Sequence, residues 1–344
     1  MSKVITMVLY NRPDYTRTVL DALKRCRGIG DYLILPRIEP GNEEVIELAR
    51  GIDFAEVQVT VNRQRLGGGR NAYRAWADGF ERADFIVHLE DDTVPAPDCL
   101  RYMEHCREVY RRDHGIFSVA AYNRYPCGSK DYFSIARRSA YTCWLVGIWK
   151  ERWLWAKRRW SKDPRSYACP LAEQVYRHDL REIYPLLSRS QNIGARAGIH
   201  PKTTAWHRVY QHTNHWAGDL PFSRRRFAEV PNPLITAVLI AGLDRDPAKV
   251  RAAIRGFQRQ SFVHKELLIV NYGGDPLGPL NDARIHELKV RRSRGITMDT
   301  LEAVGREYAR GDVIVAWNRA DWQDAGNLTE SAERQSPGRH GTHE

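Results

Sequence analysis

Phe85-Ile86-Val87-His88-Leu89-Glu90-Asp91-Asp92 is an apolar run of strand length that ends in three consecutive carboxylates, and the rest of the chain is read outward from it. Just upstream, Arg70–Arg82 has the apolar spacing of a helix and follows a Gly67-Gly68-Gly69 turn. Further back come a short strand around Val57–Val61, a strand over Tyr32–Leu35, a helix over Pro13–Cys26 opened by its proline, and a buried strand over Val4–Tyr10. Strands alternating with helices predict an α/β fold with a doubly wound, mostly parallel sheet whose ligand lies at the carboxyl ends of the strands. Glu90-Asp91-Asp92 falls at that end. Three carboxylates delivered together need compensation, which a hard divalent cation bridging to a diphosphate would supply; the plain alternative is a solvated turn.

The 344 residues favour one large domain plus a smaller one, and an ordinary apolar fraction with 16 Tyr and 10 Trp argues for a folded chain. The longest apolar stretches, Tyr141–Trp149 and Leu234–Leu243, fall short of the roughly 20 residues of a membrane span. Met1–Tyr10 enters a strand without a signal-peptide pattern, so a cytoplasmic protein without a membrane partner is expected. The six cysteines show no zinc-type spacing and read as reduced thiols. A net charge of +11 favours capture of an anion without naming it.

Three segments in order, Thr6 through Pro13, Gly69 through Ala75 and His88 through Asp98, resemble the GT-A fold glycosyltransferases. Within that fold the chain is similar to the N-acetylglucosaminyltransferase I type, in which an acidic triad is followed by Pro-Asp and an aromatic helix, here Pro97-Asp98-Cys99-Leu100-Arg101-Tyr102. Ser188–His200 also resembles that family's closing segment in spacing. The likeness spans about residues 1–215.

The resemblance implies a metal-dependent, inverting transfer of a sugar from a nucleoside diphosphate sugar, with a UDP-sugar and Mn2+ or Mg2+ as expected cofactors. It implies Asp92 as direct metal ligand, Glu90 and Asp91 at the ribose and donor sugar, and Asn11 and Arg12 beside the nucleoside. Glu39 would lie near the base edge, Arg70 and Asn71 near the nucleotide, and His200 over the diphosphate as metal ligand or phosphate contact. His207, His212 and His215 stand close enough in sequence to take that role instead. An attacking hydroxyl must lose its proton, and the resemblance implies Glu173 as the base, at the place where that family carries an acidic residue at the start of a helix, whose terminus would favour a carboxylate; Asp179 and Asp163 are the other candidates. The plain reading of Glu173 is a favourable first-turn residue.

Between Trp144 and Arg165, five tryptophans (144, 149, 153, 155 and 160) interleave with Lys150, Arg152, Lys157, Arg158, Arg159, Lys162 and Arg165. Such a stretch beside an acceptor site suits a phosphate backbone with stacking surfaces for an exposed base, although Trp149, Trp153 and Trp160 have the spacing of core residues. Arg224-Arg225-Arg226 and Arg291-Arg292-Ser293-Arg294 are further basic clusters.

Leu234–Leu243, Val250–Phe257, Glu266–Tyr272 and Thr300–Trp317 retrace the element order of the first ninety residues. Asn318-Arg319-Ala320 then stands where the acidic triad would be. The expected organisation is a catalytic domain over 1–230, a degenerate, non-catalytic α/β repeat over 231–330 that could mediate a homodimer, and a disordered tail over 331–344. The acceptor is expected to be a hydroxymethylated pyrimidine in bacteriophage DNA. The rivals are a glycan, lipid or protein acceptor, and a nucleic-acid-binding scaffold on a retired transferase fold.

Overall fold

The structure is a computed structural model and describes residues 2–125, 127–161, 167–195, 203–221, 223–231, 234–242, 246–260, 262, 264–273, 277, 280–311, 313–317 and 328. The chain divides into two compact units, 1–230 and 231–344.

The first unit opens with β1 (Lys3–Leu9), α1 (Pro13–Lys24), β2 (Tyr32–Ile38), α2 (Glu43–Arg50), β3 (Glu56–Val57), β4 (Thr60–Val61), α3 (Gly68–Arg82) and β5 (Phe85–Glu90). It continues with β6 (Thr93–Pro95), α4 (Cys99–Tyr110), β7 (Ile116–Ala120), β8 (Ser134–Arg138), β9 (Val146–Trp149), α5 (Lys150–Lys157), α6 (Ala168–Arg177), β10 (Arg181–Pro185), β11 (Ser190–Asn192), α7 (Thr204–Tyr210) and β12 (Ala228–Glu229). One mixed sheet runs β12-β8-β10-β7-β9-β5-β1-β2-β3, with β4 also on β2. From β3 to β5 every pairing is parallel, as the alternation predicts; β9 then inserts antiparallel between β5 and β7. Helices cover both faces, so β1 and β5 are buried on both sides and read as continuous apolar runs.

Local chemistry sets the element ends. Pro13 opens α1 at a position where its missing N–H costs nothing, and Asn42 caps α2 by accepting from Val45 N at 3.0 Å. The expected strand at Tyr32–Leu35 extends to Ile38 through Pro36. Alternate β2 carbonyls, Ile34 and Ile38, accept from Gln58 and Asn62 on the outer side. Pro36 faces the same side and has no N–H to give. The single strand expected around Val57–Val61 is therefore split into β3 and β4.

The second unit contains β13 (Ile235–Ala241), α8 (Pro247–Arg259), β14 (Lys265–Tyr272), β15 (Ile285–Val290), α9 (Met298–Tyr308) and β16 (Val313–Ala316). Its sheet, β15-β14-β13-β16, is parallel throughout and has the strand order of β3-β2-β1-β5. Both copies bring a helix onto the sheet at a glycine four residues before the closing alanine. A Cβ on Gly79 would meet the Thr6 and Ile86 side chains, and one on Gly305 those of Val238 and Val270. Asn318-Arg319-Ala320 and the tail at 331–344 lie outside the described residues. Among those described, no helix is long and apolar enough to cross a membrane.

Thr6 is held against rotation by its hydrogen bond with His88, so Gly79 has no slack. Gly79→Val is expected to destabilise the protein by about 1–3 kcal/mol, as overpacking does, measured by urea unfolding.

Candidate active site

β1 and β5 are adjacent, parallel and in register to Val8↔Glu90. Whatever follows either strand therefore emerges at the same edge. From β1 comes Arg12, the residue before α1; from β5 come Asp91 and Asp92. Arg12 Nε donates to Asp91 Oδ2 at 3.1 Å, Nη2 donates to Asp91 Oδ1, and Nη1 donates to Asp92 Oδ2 at 2.8 Å. The fourth oxygen, Asp92 Oδ1, accepts from Asn192 Nδ2 at 3.3 Å. The side chains are only 18% (Arg12), 7% (Asp91) and 12% (Asp92) exposed, so these are charge-assisted bonds in a largely dry place.

Electrostatics follow from that burial. Burial works against the charge on Arg12, but Asp92 and Asp91 outweigh it and hold the guanidinium above its ordinary pKa. Burial pushes Glu90 up to about 8, reinforced by Asp92 and Asp91. It pushes Asp91 up to about 6, against the pull of Arg12. The Tyr167 hydroxyl stands 3.5 Å from Glu90 Oε1. Beneath them His88 is fully buried and lowered to about 3 by burial, its Nδ1 2.9 Å from Thr6 Oγ1.

A second layer fixes Asp92 from the other side. β6 pairs antiparallel with β11, and the Asp92 carbonyl accepts from Ile193 N at 2.9 Å. Asn192 Oδ1 accepts from Gly194 N at 3.0 Å and faces His207 Nε2 at 2.9 Å. With its oxygen so placed, Asn192 turns its amide nitrogen to Asp92 and its oxygen accepts a hydrogen bond from the His207 ring in the Nε2–H tautomer. Gly194 is required here, because a Cβ would collide with the Asp92 carboxylate. Beneath the strip, buried Arg189 donates to Asp98 Oδ1 at 3.2 Å and to Tyr132 O at 2.6 Å.

The flanking expectations divide. Asn11 is exposed just past β1, and Arg70 is exposed in the first turn of α3. Glu39 and Asn71 are both buried in the framework. Glu39 accepts from Leu66 N, from Gly67 N at 2.7 Å and from Asn62 Nδ2 at 3.1 Å, and Asn62 Nδ2 also reaches Asn71 Oδ1 at 2.8 Å. This network pins the turn at Gly67, whose φ of +82° favours glycine.

Glu173 departs from its expected place at the start of a helix. It is the sixth residue of α6, not a first-turn residue, and it lies opposite the buried Leu171 and Val175. There it is exposed and accepts from Arg177 Nη2 at 2.5 Å, four residues on. Asp179 is exposed and paired with Arg181. Asp163 and His200 lie outside the described residues.

The Trp-rich segment is mostly interior. Trp149 and Trp153 are buried, and Trp160 stacks on Tyr167 at 5.0 Å and donates to Gly69 O at 3.1 Å. Buried Arg152 donates to Ile116 O and Asp113 O, so it is an internal clasp and not a surface cation. Lys150, Lys157 and Arg158 are exposed, and Trp144 and Trp155 are partly so.

Asn192, Gly194 and His207 were not singled out as partners of Asp92 by the sequence. The only signal there was the spacing of the closing segment and a cluster of histidines.

Among the described residues no three His, Cys, Asp or Glu side chains converge as a complete metal cage. The acidic pair nevertheless suits a hard cation. Its oxygens already hold a positive charge, the Arg12 guanidinium, and a metal site of one or two carboxylates is completed by phosphate oxygens and water.

No protein-family model and no curated protein matches the chain. Solved structures with similarity include a mannosyltransferase, PcManGT from Pyrobaculum calidifontis in complex with GDP-Man and Mn2+, at 16% identity over 53% of this chain and 54% of that one, TM-score 0.40. Residues 1–349 of TarS from S. aureus in complex with UDP align at 10% identity over 55% and 60%, TM-score 0.41. The same TarS fragment with UDP-GlcNAc aligns at 9% over 55% and 58%, TM-score 0.41. The chain thus spans between half and two thirds of the length of these structures.

His88 generates a test. The unfolded chain takes up a proton near pH 6.5, whereas the folded chain resists it down to about 3. Stability from the neutral ring is therefore present above the higher value and lost as pH falls through the interval. His88→Gln is expected to flatten this part of the profile, read from urea midpoints between about pH 7 and about pH 4.

Proposed function

We propose that the chain is a nucleotide-sugar glycosyltransferase. The observation that carries this reading is the Asp91–Asp92 pair at the carboxyl end of β5, beside the end of β1, bridged by a guanidinium. That is the crevice where a doubly wound sheet binds its ligand. A buried acidic pair that already holds a cation suits a nucleoside diphosphate brought in with a divalent metal.

In this reading Asp92 is the metal ligand, fixed by Asn192 and the Ile193 amide, and Asp91 and Glu90 face the donor's ribose and sugar. The metal, Mn2+ or Mg2+, would stabilise the charge on the departing diphosphate. Asn11, Arg12 and Arg70 line the approach for a donor we take to be a UDP-sugar. An in-line attack by the acceptor hydroxyl inverts the anomeric centre.

For the acceptor we propose a hydroxymethylated pyrimidine in bacteriophage DNA, with the enzyme working in the host cytoplasm. Almost all of the net charge of +11 lies in residues 1–230. Lys150, Lys157 and Arg158 are exposed in the same segment, which suits a phosphate backbone. We read residues 231–330 as a non-catalytic repeat that supports the first unit or pairs two copies of the chain.

Radiolabelled UDP-glucose and UDP-N-acetylglucosamine, supplied with Mn2+ to hydroxymethylated DNA, unmodified DNA and a simple glycan, test the proposal. Label is expected on the hydroxymethylated DNA alone, and Asp92→Asn is expected to lower the rate by about 10²-fold or more. Label on the glycan alone would overturn the DNA acceptor. DNA binding without any turnover of donor would leave a scaffold.

Glu173 lies on the exposed face of α6, paired with Arg177, and its role as the base is open to a direct test. Glu173→Gln is expected to keep transfer within about tenfold of the parent, and a loss of 10²–10⁴-fold in kcat would establish it as the base.

A further inference from the structure

We propose that Arg12 is a resident counter-cation which an incoming divalent metal displaces from Asp92, and which then turns to the donor's diphosphate, so that metal and donor bind cooperatively. The inference rests on the reading of this site as a metal and nucleotide centre.

Its basis is the occupancy of the acidic pair. Arg12 engages both oxygens of Asp91 and Oδ2 of Asp92, and Asn192 engages the remaining oxygen. A metal reaching Asp92 meets Nη1 already on Oδ2 and the Arg12 charge beside it. Two cations on one buried pair repel each other, and a guanidinium taken off its carboxylates without a new anion is left uncompensated in a largely dry place. The Tyr15 ring, 5.2 Å from the guanidinium carbon, gives a cation a face to rest on but no charge, and Glu90 is near enough to feel the guanidinium although Arg12 bonds to Asp91 and Asp92 and not to it. A diphosphate supplies the missing charge in a geometry the planar fork can bind through two bonds. Metal alone is therefore held off, and metal with donor is accepted. A single residue couples the two ligands, and the coupling is reciprocal.

The test titrates Mn2+ into the metal-free full-length chain by electron paramagnetic resonance of the free ion, with and without UDP, for the parent, Arg12→Gln and Arg12→Lys. Arg12→Gln is expected to bind Mn2+ alone about tenfold more tightly than the parent, with Arg12→Lys between them. UDP is expected to tighten Mn2+ binding more in the parent than in Arg12→Gln. Melting gives a second readout: metal-free Arg12→Gln melts below the parent, and Mn2+ raises its midpoint by more than it raises the parent's. A folded Arg12→Gln that binds Mn2+ no more tightly than the parent overturns the proposal. UDP binding without any Mn2+ binding in all three proteins overturns it together with the metal assignment, and no binding of UDP at all sinks the underlying reading of the site.

Discussion

Three carboxylates emerge together from a strand buried on both faces, and the chain has to hold them there without bulk water to stabilise their charge. Much of the architecture of the first unit answers that demand. The parallel pairing of β1 and β5 places the residue before α1 directly beside Asp91 and Asp92, so a guanidinium arrives at the acidic end because two strands run in the same direction. Burial raises the affinity of Glu90 and Asp91 for protons, and Arg12 limits how far Asp91 goes. A cation site of this kind is costly to leave empty, which is why its occupant is informative.

The polar residues around it separate into groups that hold the backbone and groups that hold the carboxylates. Glu39, Asn62 and Asn71 belong to the first: they bond to one another and to the amides at Leu66 and Gly67, fixing the turn that leads into α3. Asn192 belongs to the second, with Gly194 leaving room for Asp92 and His207 fixing the amide's orientation. Both sets use the same residue types. Only their neighbours tell them apart.

The second unit repeats the strand order of the first and the device by which a helix crosses its sheet at a glycine. In the first unit the strand corresponding to β16 ends in Glu90-Asp91-Asp92, whereas the sequence after β16 runs Asn318-Arg319-Ala320. The two units thus share strand order and helix packing, and their sequences differ beyond the strand end.

By itself the sequence determined the alternation of strands and helices, the parallel arrangement from β3 to β5, the acidic edge, the repeat, and the interior placement of Trp149 and Trp153. Each of these is a local or periodic property, set by which residues avoid water and how often. It missed the antiparallel insertion of β9 and the break between β3 and β4, because both depend on which strand lies alongside. It also placed Glu173 at the start of a helix, where the structure has it further along α6 beside Arg177, and it did not show that Glu39 and Asn71 bond within the framework. The tertiary structure decided these, and it decided that Arg12, Asn192 and His207 meet around Asp92 from positions 80, 100 and 115 residues away. A hydrogen-bond partner distant in the chain leaves no periodic trace in sequence; it is fixed only when the sheet brings the strand ends together.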